Sequence, residues 1–295
     1  MMDGFLIIDK SQGMTSYTVI RRLKKIYPFK KIGYIGTLDR NATGILPVGL
    51  NEGVKLIPFL ESGEKKYAAT FILGVTSETF DMDGKIISET TPPTFDRNLL
   101  EDALMTFKGR ITQKVPLYSS KKVEGKPLYK WAHKGRSIEP PEKEVEVFDI
   151  TFVEYDHPYV KAEITCSKGT YIRVIANDFG ALLGCGAALY ALKRTQHGAF
   201  TLEKSTTVEG LKIEQDVVNY MISLEDVLES LRAVTIDPAA ERFLKNGLPV
   251  PLFGNWKDWK NGELVKVLKK SGTLLGVGSI DIAAKAVRIK RLINQ

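Results

Sequence analysis

The sequence predicts an α+β protein: a mixed or antiparallel central sheet with flanking helices, followed by a small C-terminal β-barrel-like domain. Three observations predict it. Segments such as Tyr67–Leu73, Val145–Tyr155 and Tyr159–Cys166 alternate apolar and polar residues as half-buried strands do. Segments with helical spacing interleave with them irregularly, not in the strict order a doubly wound sheet needs. After residue 232 the texture changes to short strands separated by Gly and Lys, which suits a small barrel.

In chain order, Phe5–Asp9 is a brief apolar run and reads as a strand. Thr15 or Ser16 can cap a helix on which Val19, Ile20, Leu23 and Ile26 share one face, with arginines and lysines opposite. Tyr67–Leu73 follows as a strand, and Asp96–Phe107 has a capping acid and apolar helical spacing. Val145–Tyr155 and Tyr159–Cys166 read as paired strands joined near His157-Pro158. Tyr171–Leu183 reads as a helix ending at Gly184, and Ser223–Leu231 as a short acidic helix. Beyond the turn at Asn246-Gly247-Leu248-Pro249-Val250 come strands Leu264–Leu268, Thr273–Ser279 and Ala286–Ile289. The boundary is placed at residue 232, giving units 1–232 and 233–295.

With 295 residues, 43% hydrophobic and 26% charged, the chain can bury a large core without covalent staples. No apolar run approaches the roughly 18–20 residues a membrane span needs, and the N-terminus lacks the basic leader of a signal peptide. Two cysteines, Cys166 and Cys185, are too few for a disulfide framework, so a cytoplasmic protein is expected. His133, His157 and His197 are scattered and neither cysteine has a partner at ligand spacing, which argues against zinc. No phosphate-cradling Gly-rich loop or Gly-x-Ser-x-Gly occurs, and Asp81-Met82-Asp83-Gly84 lacks the later acid of a calcium loop and reads as a tight turn. Cofactor-free chemistry by ordinary side chains remains, or none.

Net charge is +7, and its distribution is more telling than its size. Residues 105–136 carry nine Lys/Arg against Glu124 alone, and 233–295 carry eleven basic residues against five acidic, whereas 209–229 hold six acids and one lysine. Basic clusters separated by an acidic body suggest an extended anionic partner such as nucleic acid; unrelated solvated surfaces are the plainer alternative. Within this pattern one carboxylate stands out. From Lys10 to Leu38 there are seven Lys/Arg and no acid; then comes Asp39, between glycines that let other backbone come close.

Gly36-Thr37-Leu38-Asp39 followed by Ala42-Thr43-Gly44-Ile45-Leu46-Pro47 resembles the catalytic motif of TruB-type tRNA pseudouridine synthases. Further segments resemble the same family in order: Leu6-Ile7-Ile8-Asp9-Lys10 with Gly13-Met14-Thr15-Ser16, Lys65-Lys66-Tyr67, Leu73-Gly74 with Thr79 to Gly84, Pro116 to Tyr129, Cys166 to Arg173, and Leu183 to Ala187. The likeness runs from about residue 4 to 195, and the tail around Lys245 to Val250 resembles a PUA domain, an RNA-binding module.

The resemblance implies a reaction: uridine 55 in the T-loop of tRNA becomes pseudouridine without metal or organic cofactor. Asp39 matches the essential aspartate, which attacks the nucleotide or removes a sugar proton. Arg173 matches its arginine partner, and Tyr67 the tyrosine that stacks on the target base and assists proton transfer. Tyr171 and Leu192 match residues lining the uracil pocket, and Lys10 and Lys55 match basic residues around it. The implied partner is the tRNA T-arm, bound by a monomer with no obligate protein partner. Three positions depart from the family: Tyr34 where most members have His, which places substrate grip in question more than bond making; Arg40 where Pro is usual; and Ser11 in place of Pro. Two alternatives stand beside this reading: a non-catalytic RNA-binding or RNA-folding protein on the same scaffold, and a guide-dependent synthase, against which the short segment before Gly4 argues.

Overall fold

The computed structural model describes residues 2–132, 138–252 and 258–293. Among them, the larger sheet runs in the order Ser205–Thr206, Gly4–Lys10, Thr43–Leu50, Ala187–His197, Lys65–Leu73, Tyr159–Cys166, Glu142–Asp156, Gly109–Lys114. Ile32–Tyr34 and Phe200–Thr201 pair off this path. Most neighbours are antiparallel, while Gly4–Lys10 meets Ser205–Thr206, and Thr43–Leu50 meets Ala187–His197, in parallel. The expected mixed sheet is therefore present.

Two strands absent from the sequence reading lie near its centre. Thr43–Leu50 contains Gly44, Pro47 and Gly49, residues that weaken a strand signal. Ala187–His197 carries register shifts between Leu189 and Ala191 and between Arg194 and Gln196. Each extra residue reverses the alternation, so no single period of two survives in the sequence.

The helices follow their caps. Thr15 accepts from the Thr18 amide at 3.1 Å, and Ser16–Ile26 buries Val19, Ile20 and Leu23. Asp96 accepts from the Asn98 amide at 2.8 Å, and Arg97–Met105 follows; each cap contributes about 1 kcal/mol. Ile172–Leu182 begins after Tyr171 and is followed by Gly184 at φ +74°. Ser223–Leu231 is not a helix. It holds one 3₁₀ turn, Asp226–Leu228, set by the Ser223 hydroxyl accepting from the Asp226 amide. So short a segment cannot sustain a helix by propensity, and its shape follows the burial of Leu224, Val227 and Leu228. The acidic stretch instead forms a helix at Glu214–Tyr220.

Gly4–Lys10 is buried on both faces, which explains its unbroken apolar run. Leu6 and Ile8 join the main core with Val19, Leu46, Phe71, Ile164 and Phe179. Phe5 and Ile7 face a second cluster with Ile45, Phe200, Leu228, Leu274 and Val277. The C-terminal sheet, ordered Arg232–Ile236, Leu264–Lys269, Leu274–Asp281, Ala286–Leu292, Val250–Pro251, has its own cluster around Val265, Leu275 and Val287. Leu274 and Leu275 thus point into different clusters, and the second one draws on residues from both sides of position 232.

Candidate active site

Asp39 lies in the loop between Ile32–Tyr34 and Thr43–Leu50, exposed at its tip. The loop is tied down on both sides of it. Ser16 Oγ donates to the Leu38 carbonyl and accepts from the Leu38 amide, at 3.2 and 3.0 Å. After it, the Arg40 carbonyl accepts from the Gly13 amide at 2.9 Å and from Lys10 Nζ at 3.2 Å.

Lys10 is fully buried and also donates to the Ser11 and Met14 carbonyls. Burial pulls its pKa down to about 8, against the pull of Asp39 and Asp83 in the other direction. It fastens the loop that carries Asp39 from beneath. Lys55 lies elsewhere: its ammonium pairs with Glu52 at 2.7 Å and donates to the Leu292 carbonyl at 3.3 Å, at the junction with the C-terminal sheet. Tyr34 is half-buried against the main core, opposite Val48.

The remaining candidates come together. Asp39, Tyr67, Tyr171, Arg173 and Leu192 line one basin of about 230 Å³, with Lys65, Lys168 and Arg194 completing its wall. Clefts for drug-sized ligands start near roughly 300 Å³, so this one is small. Tyr67, on the strand Lys65–Leu73, is 8% exposed. Burial pushes its phenol up to about 12, against the facing Arg194 guanidinium, which lowers it. The hydroxyl therefore stays protonated.

Arg173 is 5% exposed in the first turn of Ile172–Leu182. Its partners differ from the expected one. Nη1 donates to Asp81 Oδ2 at 3.4 Å and to the Thr79 carbonyl at 3.2 Å, and Nη2 donates to the Tyr118 carbonyl at 2.8 Å. The guanidinium is thus directed at the Asp81 turn and the Tyr118 segment and not at Asp39. Asp81 is held in turn by the Thr79 hydroxyl and the Asp83 amide. The tight turn read at Asp81 to Gly84, which connects Val75–Ser77 to Ile86–Glu89, lines a small neighbouring cleft that also includes Asp39 and Leu192.

Sequence reasoning named Lys65, Asp81 and His197 without assigning them to the site, and passed over Arg194. Burial pulls Lys65 down to about 8 and His197 down to about 3, with Arg194 adding to both. Leu192 and Arg194 sit two apart on one strand and face the same basin, a signal readable only once that segment is known to be a strand. His133 lies outside the described residues. Among the described residues no helix is long and apolar enough to cross a membrane.

A chain in the crystal structure of a Cbf5–Nop10–Gar1 complex shares this architecture with a TM-score of 0.76 at 24% identity, over 99% of this chain and 85% of that one. A chain in the structure of an H/ACA RNP bound to a substrate RNA containing 2′-deoxyuridine gives 0.73 at 23%, over 99% and 85%. At such identities the likeness is one of fold. Sequence takes the assignment further. The family model described as TruB family pseudouridylate synthase (N terminal domain) matches residues 24–172. A protein of Syntrophus aciditrophicus named tRNA pseudouridine synthase B is 38% identical, over 99% of this chain and 99% of that protein. Another of that name from Clostridium acetobutylicum is 37% identical, over 95% and 96%. The chain belongs to the TruB family of pseudouridylate synthases.

Proposed function

We propose that the protein isomerises a uridine of tRNA to pseudouridine, and that the target is uridine 55 in the T-arm. The observation that carries this reading is the basin of about 230 Å³ that Asp39, Tyr67, Tyr171, Arg173 and Leu192 line together. In the reaction the bond from N1 to C1′ breaks and one from C5 to C1′ forms. The C5 proton is released to water and N1 gains one. Asp39 starts the sequence, either by attacking the nucleotide or by removing a sugar proton. Negative charge that develops on the detached base meets the fixed cations of the wall, Arg173, Arg194 and Lys65. Tyr67, protonated at working pH, donates to the base while its ring packs against it.

A base in a folded T-loop must first be extruded, at a cost of a few kcal/mol. Exposed lysines of the basic segment, Lys121, Lys122, Lys126 and Lys130, offset it through phosphate contacts. The units 1–232 and 233–295 are a catalytic part and a PUA-like RNA-binding part, and the protein acts as a monomer in the cytoplasm, where its substrate is. Tritium release from C5-labelled uridine in a tRNA transcript tests the function. Wild type should release label and Asp39→Asn should not; equal release from both would overturn the assignment of Asp39. Tight tRNA binding with no release from wild type would leave the RNA-binding alternative in its place.

A further inference from the structure

Arg194 is 0% exposed, and its guanidinium donates to three backbone carbonyls: Nε to Ile45 O at 2.8 Å, and Nη2 to Gly36 O at 3.1 Å and Ile35 O at 3.4 Å. Those carbonyls belong to the two ends of the loop that carries Asp39. Two glycines mark the same ends. Gly36 has φ +64°, and a Cβ there would lie 2.9 Å from Arg194 Nη1. Gly44 has φ +94°, and a Cβ there would lie 2.2 Å from the Arg194 carbonyl oxygen. One residue thus meets the start of the loop with its side chain and the end with its backbone, and at both places the chain is bare enough to permit it.

The strand register adds the second half. Arg194 is opposite Gly44 on one neighbouring strand and opposite Tyr67 on the other. Its guanidinium faces the Tyr67 hydroxyl and supports that oxygen as an acceptor. Desolvating a guanidinium is costly and backbone carbonyls compensate only in part. A leucine at this position would fill the space more cheaply if packing were the whole purpose.

We propose that Arg194 is a positioning residue that fixes Asp39 and Tyr67 relative to one another, clamping the Asp39 loop while orienting the Tyr67 hydroxyl. The proposal rests on the reading of the basin as the uridine site, and its test separates the two. Arg194→Lys keeps the charge but loses the fork that spans both loop ends. Single-turnover tritium release should fall by about 30-fold or more, with tRNA affinity within about threefold of wild type. Gly36→Ala should reproduce that pattern by displacing the guanidinium. In a Tyr67→Phe background Arg194→Lys should cost clearly less than in wild type, because the two act as a unit. Amide exchange across residues 36–44 should quicken in Arg194→Lys, a readout that needs no activity. Wild-type release or wild-type exchange in Arg194→Lys overturns the clamp. Loss of rate matched by equal loss of affinity and melting temperature overturns it too, since that is the signature of a general structural role. If wild type releases no label, the functional reading fails and the exchange result alone decides the clamp.

Discussion

Two positively charged regions of this molecule are built on opposite principles. Beneath the basin, Lys65 and Arg194 are almost wholly removed from water, and burial draws the lysine down to about 8 and holds the neighbouring His197, at about 3, neutral. Along the basic segment, Lys121, Lys122, Lys126 and Lys130 stand in solvent. The first region orients and stabilises reacting groups, and salt barely touches it. The second attracts a polyanion from a distance and is screened within about 10 Å at ordinary salt. Equal charge therefore does unequal work, and the difference lies in what each cation gives up to be where it is.

The sharpest way to break this contrast is at Arg173, whose guanidinium is fixed by Asp81 and two carbonyls. Arg173→Met is expected to lower the single-turnover rate by at least about 100-fold, with little change in tRNA affinity by filter binding. Next comes acid stability. His197 is neutral when folded, its Nε2 donating to the Glu61 carbonyl, and Arg194, Lys65 and Lys168 all oppose its protonation. The unfolded chain takes up that proton below pH 6.5, so stability is lost as pH falls from about 6.5 toward 3. Denaturant titrations should show His197→Gln sparing about 3 kcal/mol of that loss at pH 4.

Lys65 gives a smaller effect of the same origin. Its folded pKa of about 8 lies below the ordinary value, so its charge destabilises the fold at neutral pH, and the penalty fades as pH rises from 8 to 10.5. Water in the basin screens part of it. Lys65→Met should be more stable than wild type by about 1–2 kcal/mol at pH 7, a gap that closes by pH 10.5. Smallest are the solvent-facing cations: Lys121→Ala with Lys122→Ala should weaken tRNA binding a few-fold, lower the salt slope by about 2, and leave the saturated rate unchanged.

Most of the fold was legible where a local rule ruled alone. Thr15 and Asp96 announced their helices, and the alternation of Tyr67–Leu73 or Tyr159–Cys166 announced strands. Legibility failed where tertiary context overrode that rule. Bulges scrambled Ala187–His197, Gly and Pro masked Thr43–Leu50, and burial in the second cluster left a single 3₁₀ turn within Ser223–Leu231. The site divides the same way. Asp39, Tyr67, Tyr171, Arg173 and Leu192 were found by motif and do converge on one basin. What each side chain holds was not readable, because Arg173 meets Asp81, Lys10 is swallowed under the loop, and Lys55 looks toward the C-terminal sheet. A motif records which residues are needed and is silent about which neighbour each one grips.

The apolar cluster shared by Phe5, Ile7, Leu274 and Val277 has a practical consequence for anyone wishing to cut this protein in two. A fragment ending at residue 232 would carry the whole basin, but it would also uncover the back of its own first strand. Such a fragment should come out of solution or need detergent, and its failure would say nothing about RNA. The tail is thus a lid on the oil of the larger body as well as whatever it is to the substrate.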